Sequence, residues 1–155
     1  MIIRIDTREQ QPLELEQFDA QVLRKKVPAF DYALDGDQER FAIERKSLAD
    51  FVQSVVMKNS YRRELAKIRK ATQAGMSRIF YVIEGRFTEL HTFNFDRFRS
   101  GKVHPGLVYK RWRELAYKHN VHFVWADDAF GAAWAVFLLL KSRAEELRAI
   151  EEDNQ

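Results

Sequence analysis

The chain contains no cysteine, which removes disulfides, thiolate metal ligands and cysteine nucleophiles together and suits a reducing compartment. Its chemistry must come from carboxylates, lysine, histidine or serine. Glycine and proline are also scarce, six and three in 155 residues, and no Pro/Gly/Ser-rich linker or internal repeat marks a second unit. Long apolar runs are missing too. The longest, Ala132 to Leu140, has nine residues, against the roughly 20 that a helix needs to span a bilayer. The opening Met1-Ile2-Ile3-Arg4-Ile5-Asp6 lacks the basic segment, apolar stretch and cleavage site of a secretory signal, so a cytoplasmic protein with no membrane partner is expected.

What is present is a globular composition: 46% hydrophobic residues, including 12 Phe, 5 Tyr and 3 Trp, alongside 32% charged ones. At about 150 residues per domain, one domain over 1–150 is expected, followed by a polar tail over 151–155. The 26 basic and 23 acidic residues leave a net charge of +3. That excess permits a nucleic-acid partner without arguing for one, so position has to decide.

The hydrophobic pattern predicts a strand over Ile2–Asp6 and a weaker strand, with a short helix as the competing reading, over Ala20–Val27. Clearer strands are expected over Phe30–Leu34 and Phe41–Lys46, joined as a hairpin by the six polar residues from Asp35 to Arg40 with their Asp-Gly turn signal. Ser47 reads as an N-cap, with Asp50 three residues on, starting a helix that runs to about Val56. A second helix is expected from about Ser60 to Gln73, with Tyr61, Leu65 and Ile68 on one face and Arg63, Lys67 and Lys70 on another. Arg78–Glu84 is nearly continuous apolar sequence, as in a strand covered on both faces. Further on, a helix over about Gly106–Lys118, a strand over Val121–Trp125 and a helix over about Asp128–Glu152 are expected. Phe87–Lys102 has no period and reads as an excursion from the core. The order predicts one α/β domain with a mixed central sheet flanked by helices.

Strand alternation puts Ala42, Glu44 and Lys46 on one face. A hairpin symmetric about its six-residue turn pairs Leu34 with Phe41 and sets Asp31 across from Glu44. In this reading Phe30, Tyr32 and Leu34 share the face opposite to Asp31. Directly opposed acids about 5 Å apart repel by about 3 kcal/mol at an effective dielectric near 20. Solvent exposure, protonation of one acid or a divalent cation between them relieves that repulsion. An exposed hairpin carrying ordinary surface charges is the plainer alternative. In the productive alternative, hard oxygen ligands favour Mg²⁺ or Mn²⁺ and Lys46 points its ammonium at water or a phosphate oxygen.

Ile5-Asp6-Thr7-Arg8-Glu9, Phe30-Asp31-Tyr32 and the run from Phe41 to Val55, with Glu44-Arg45-Lys46 and Asp50 at its centre, together resemble the nuclease domain of the XPF family of structure-specific endonucleases. The resemblance extends less sharply over most of the chain. It implies a restriction-endonuclease-like fold with a PD-(D/E)xK metal site and hydrolysis of DNA phosphodiesters, with branched or flapped DNA as substrate, in repair or recombination. Residue by residue it implies Asp31 and Glu44 as ligands of Mg²⁺ (or Mn²⁺), with the Arg45 carbonyl as a third. Lys46 acts on water or on the transition state, Asp6 is a catalytic acid that joins or supports the metal ligands, and Glu9, Arg8 and Arg45 order the site. Two departures stand out. Phe30 occupies the place of a family Gly, and the chain ends where eukaryotic members continue into a helix-hairpin-helix module, so the compact form looks like those of prokaryotes or phages. The literal Gly36-Asp37 pair lies in the turn and makes Asp37 the fallback for Asp31.

Arg62, Arg63, Lys67, Arg69 and Lys70 form a basic helix suited to DNA phosphates, and Lys102, Lys110, Arg111 and Arg113 near Tyr109 and Trp112 extend that track. The plainer reading is a solvated helix face. Glu84 resembles the family's strand-ending Glu, with a structural hydrogen-bonding role as the alternative. His91, His104, His119 and His122 lack helical zinc spacing and are expected to be structural. The last helix, with Phe130, Trp134, Phe137 and Leu138 opposite Val136 and Leu140, is apolar nearly all round, and a homodimer through the C-terminal helices is expected. Two other functions compete with the nuclease: an inactive nuclease-fold module that binds DNA or regulates a partner nuclease, and an adaptor that inhibits a partner through the apolar helix.

Overall fold

Six strands, β1 (Ile2–Ile5), β2 (Gln21–Arg24), β3 (Tyr32–Leu34), β4 (Phe41–Ser47), β5 (Arg78–Glu84) and β6 (Val121–Trp125), form one mixed sheet in the order β2-β1-β3-β4-β5-β6. The computed structural model describes residues 1–98 and 101–155. Only β3 runs antiparallel to both its neighbours, while β4, β5 and β6 run parallel. The weak segment after Ala20 is a strand, paired parallel to β1 at the sheet edge. Its exposed charges fit an edge position, where a regular apolar face is not required.

The helices are α1 (Leu48–Val56), α2 (Lys58–Gln73), α3 (Pro105–Arg113), which runs on through a π turn over Glu114–Lys118, and α4 (Ala129–Asp153). Ser47 caps α1 by accepting a hydrogen bond from the Asp50 amide at 3.1 Å, satisfying one orphan donor of the first turn. Asp128 does the same for α4 through the Gly131 amide at 2.7 Å.

Alternation along the strands divides the core into two layers. Ala42, Ile79, Tyr81 and Ile83 face α1, α2 and α3, where Phe51, Val52, Val55, Ile68, Val108 and Leu115 are buried. Ile3, Ile5, Tyr32, Leu34, Ile43 and Val82 face α4, packing on Ala132, Ala133, Val136 and Leu140. β5 is thus covered on both sides, as its continuous apolar sequence predicts.

Two expectations are corrected. Phe30 does not share a face with Tyr32 and Leu34: the chain bends before β3, and Phe30 lies in the other layer, edge-on to Tyr81. The stretch after Phe87 is no excursion either. It forms short 3-10 turns at Phe87–Leu90 and Asp96–Phe98, buries Leu90 completely and lays Phe87, Phe93, Phe95 and Phe98 against the helical layer. Arg99 and Ser100 lie outside the described residues. At the other end, α4 continues through Asp153 into the segment read as a tail.

Candidate active site

Tyr32 pairs with Ile43, and continuing that antiparallel register sets Leu34 across from Phe41 and Asp31 across from Glu44. Asp31 sits where three strands meet. Its amide donates to the Ile43 carbonyl at 3.0 Å and its carbonyl accepts from the Asp6 amide at 2.8 Å. Its carboxylate Oδ2 accepts the backbone N–H of Arg45 at 2.9 Å. Burial first, and the negative charge of Glu44 second, push the Asp31 carboxyl up to about 7, despite the Arg45 amide.

Glu44 is buried, and its Oε1 is the meeting point of two ammonium groups: Lys46 Nζ at 3.2 Å and Lys67 Nζ at 2.8 Å. Lys67 belongs to α2 and was expected among the exposed phosphate contacts. It turns inward because Glu64, one helical turn earlier, is buried beside it, with its Oε1 3.1 Å from Lys67 Nζ and 3.7 Å from Lys46 Nζ. The Tyr81 hydroxyl donates to the same Glu64 oxygen. The two lysines hold the Glu64 carboxyl below its ordinary range against desolvation, and the two glutamates raise the Lys67 ammonium. Lys67 also lies 5.1 Å from the Phe30 ring centre, so the Phe30 ring packs under a half-buried cation.

Glu64 is the residue that sequence reading passed over. It interrupts the buried stripe Tyr61, Ile68 and Ala71, and an acid on an apolar stripe with a lysine three residues on was the available signal.

Asp6 is buried, but its carboxylate is already engaged. Oδ1 accepts from the Arg8 amide at 2.9 Å and Arg8 Nε at 2.6 Å, and Oδ2 accepts from the Val27 amide at 2.7 Å. These donors hold the carboxyl below its ordinary range although burial opposes them. Arg8 also donates to the Val27 carbonyl at 3.1 Å, so the Asp6–Arg8 pair ties the loop preceding Asp31 to the end of β1.

Arg45, between Glu44 and Lys46, points to the opposite face. There it donates to Glu84 Oε1 at 2.6 Å and to the Gln11 carbonyl at 3.0 Å, and lies 3.7 Å from Glu9 Oε1. Glu84 therefore has the hydrogen-bonding role and, with Glu9 and Arg45, braces the back of the hairpin. Asp37, the fallback acid, is removed from the site: Arg143 of α4 grips both its oxygens, at 2.7 and 3.0 Å.

Arg62, Arg63, Arg69 and Lys70 are exposed on α2. Of the second basic track, Lys110 and Arg113 are exposed, whereas Arg111 stacks 4.6 Å over the Tyr61 ring and donates to the Val55 carbonyl at the end of α1. His122 stacks on Phe80 and His91 packs edge-on to Tyr109. Among the described residues no three His, Cys, Asp or Glu side chains gather as a metal-binding group. The carboxylates that face each other beside β4 are Asp31 and Glu44. As a donor set they suit a hard divalent cation: burial and the Glu44 charge push the Asp31 carboxyl up, and Glu44 already draws two ammonium groups supplied by the chain itself.

An α/β sheet of this order, with an acid at the start of β3 opposite a Glu-x-Lys in β4, defines the restriction-endonuclease-like class of nuclease folds. A sequence model of the ERCC4 domain matches residues 5–136, and the chain belongs to that family, which contains the XPF nuclease domains. No curated protein sequence matches significantly. Among solved structures, XPF from Aeropyrum pernix superposes with a TM-score of 0.72 at 22% identity, over 98% of this chain and 69% of that one. The same archaeal protein in complex with DNA gives 0.71 at 22% identity, over 94% of this chain and 66% of that one. These two likenesses establish the fold, and the chain spans about two thirds of their length.

Proposed function

We propose that the protein is a metal-dependent DNA endonuclease that hydrolyses phosphodiester bonds, with branched or flapped DNA as its substrate. The observation that carries this reading is the opposition of Asp31 and Glu44 across the hairpin, with Lys46 Nζ 3.2 Å from Glu44. Asp31 and Glu44, with the Arg45 carbonyl, would hold Mg²⁺ or Mn²⁺. Such a cation supplies Lewis-acid polarisation of a phosphoryl oxygen. Lys46 keeps its ammonium beside Glu44 and offers N–H donors to the charge that develops on the phosphate. The Asp6–Arg8 pair keeps Asp31 in register, and Glu9, Arg45 and Glu84 fix the strand from behind.

Substrate contact falls to the exposed cations Arg62, Arg63 and Lys70 of α2, each neutralised phosphate adding salt-dependent affinity. That the archaeal relative was solved in complex with DNA supports this reading. On the other face of the sheet, Phe130, Trp134 and Leu138 of α4 are 61%, 44% and 40% exposed, an apolar face that suits the C-terminal helices of a homodimer.

The test is cleavage of labelled duplex, flap and single-stranded DNA with Mg²⁺, Mn²⁺ or EDTA. The expected result is metal-dependent strand cleavage, strongest on the flap and absent in EDTA. DNA binding without cleavage under every condition would instead favour an inactive module, and a stable heteromer without DNA affinity would favour an adaptor.

A further inference from the structure

We propose that the Lys67 ammonium is a tethered counter-cation of the acid site, holding the place of the divalent ion and leaving it when that ion binds. The inference rests on the metal-site reading of Asp31 and Glu44. Lys67 Nζ lies 2.8 Å from Glu44 Oε1 and 3.1 Å from Glu64 Oε1, so it bridges two buried carboxylates from different elements. A plain helix-surface ion pair with Glu64 would need only the second contact. The first reaches from α2 to β4 and takes up one oxygen of the carboxylate that the metal-site reading makes a ligand. An ammonium this close to a ligand oxygen and a dication on the same carboxylate draw on the same negative potential and repel each other.

The fold gives Lys67 both a hold and an exit. Its charge rests over the rings of Phe30 and Tyr81, 5.1 and 6.0 Å from their centres, which retains it when the site has no other cation. Lys67 also lines a cavity of about 380 Å³ with the apolar side chains of Pro28, Ala29 and Met76 and the charged ones of Arg8, Lys70 and Glu39, of which Glu39 offers the one carboxylate for the displaced ammonium. Lys46 Nζ lies farther from the same two oxygens, 3.2 Å from Glu44 and 3.7 Å from Glu64, so of the two ammonium groups Lys67 is the more tightly held on the carboxylates and the one displaced first, with Lys46 left as their positive partner.

The experiment measures Mn²⁺ affinity of the full chain by titration calorimetry for wild type, Lys67→Met, Lys67→Gln, Asp31→Asn and Glu44→Gln. Thermal melting is followed with and without Mn²⁺. The expected result is Mn²⁺ binding at least about tenfold tighter in both Lys67 variants, a change of roughly the size that removing one nearby unit charge produces. Melting should be lower than wild type without metal, with the deficit closing at saturating Mn²⁺. Unchanged or weaker Mn²⁺ binding in the Lys67 variants, with Asp31→Asn and Glu44→Gln still abolishing it, overturns this inference alone. No Mn²⁺ binding by wild type, or full affinity in Glu44→Gln, overturns the metal-site reading and this inference with it. Should both Lys67 variants fail to fold, ¹⁵N NMR of the wild-type ammonium groups decides. The Lys67 resonance, assigned through its contacts with Phe30 and Tyr81, should shift on Mg²⁺ saturation, and an unmoved resonance overturns the inference.

Discussion

Arg143 clasps Asp37 with two parallel hydrogen bonds, Nε to Oδ2 at 2.7 Å and Nη2 to Oδ1 at 3.0 Å, joining the last helix to the turn between β3 and β4. Both side chains are buried, and Arg143 also reaches Glu146 at 2.9 Å. Replacing Asp37 by Ala leaves a buried guanidinium short of its main partner, at a cost of about 3 kcal/mol. Denaturant unfolding of Asp37→Ala should show that loss, while cleavage per folded molecule stays at the wild-type level. The same assay on Asp31→Asn should show the reverse, with cleavage lost.

The pH behaviour of the metal-free protein follows from Asp31. Its carboxyl is held at about 7 against an ordinary 3.8, so between those values the folded chain keeps a proton that the unfolded chain has released. Stability from this group is complete below pH 4, falls as pH rises towards 7 and is level above it. Asp6 and Glu64, both held low, work in the other direction, losing stability as pH drops below their unfolded values. The difference between wild type and Asp31→Asn in urea titrations from pH 4 to 8 isolates the Asp31 contribution. Added Mn²⁺ should flatten that difference, because metal binding near neutral pH releases the Asp31 proton.

Glu44→Gln, which removes a ligand of the proposed metal, should abolish cleavage as EDTA does, and Lys46→Ala should lower the cleavage rate by about 10²–10³-fold, the scale of removing one electrostatic contact to a transition state. DNA affinity, measured by fluorescence anisotropy, should change little because Arg62, Arg63 and Lys70 remain exposed. Parallel loss of affinity and of folding would place both residues in the scaffold instead.

Phe30→Gly, the residue that the XPF resemblance implies at this position, should weaken the protein rather than improve it. The ring is 1% exposed, packs on Tyr81 and supports Lys67. Emptying that space costs about 3–5 kcal/mol. A melting temperature equal to that of wild type would contradict this account.

Self-association through α4 is tested by sedimentation of wild type and Trp134→Lys. Wild type should sediment as a dimer, and the charged variant, with lysine set among exposed Phe130 and Leu138, should shift towards monomer.

Much of this architecture is written in local pattern. The hairpin register followed from the number of turn residues, because period-two alternation fixes pairing once a turn length is known. The bounds of β5 and β6 followed from apolar runs. What the pattern did not carry was inward-facing charge. Lys67 reads as one of five basic residues on an exposed helix face, and only its packing beside Glu64 and under β4 turns it inward. Phe30 looked like part of a strand because alternation extends naturally to it; the chain bends before Tyr32 instead and sets the ring edge-on to Tyr81. Arg111 was misread for a similar reason, since a cation that stacks on Tyr61 and closes the end of α1 looks like any basic residue of a helix.

The hydroxyl that fixes Glu64 comes from Tyr81, beyond the tight turn at Gly75, where φ is +106°, whereas Asp31, Glu44, Lys46, Glu64 and Lys67 all precede that turn. A nascent chain that has delivered only its first half thus carries every acid and amine of the cluster but not the residue that orients Glu64 between the lysines. The cluster of acids and amines is therefore completed only when β5 docks beside β4, so its last hydrogen bond depends on the parallel half of the sheet.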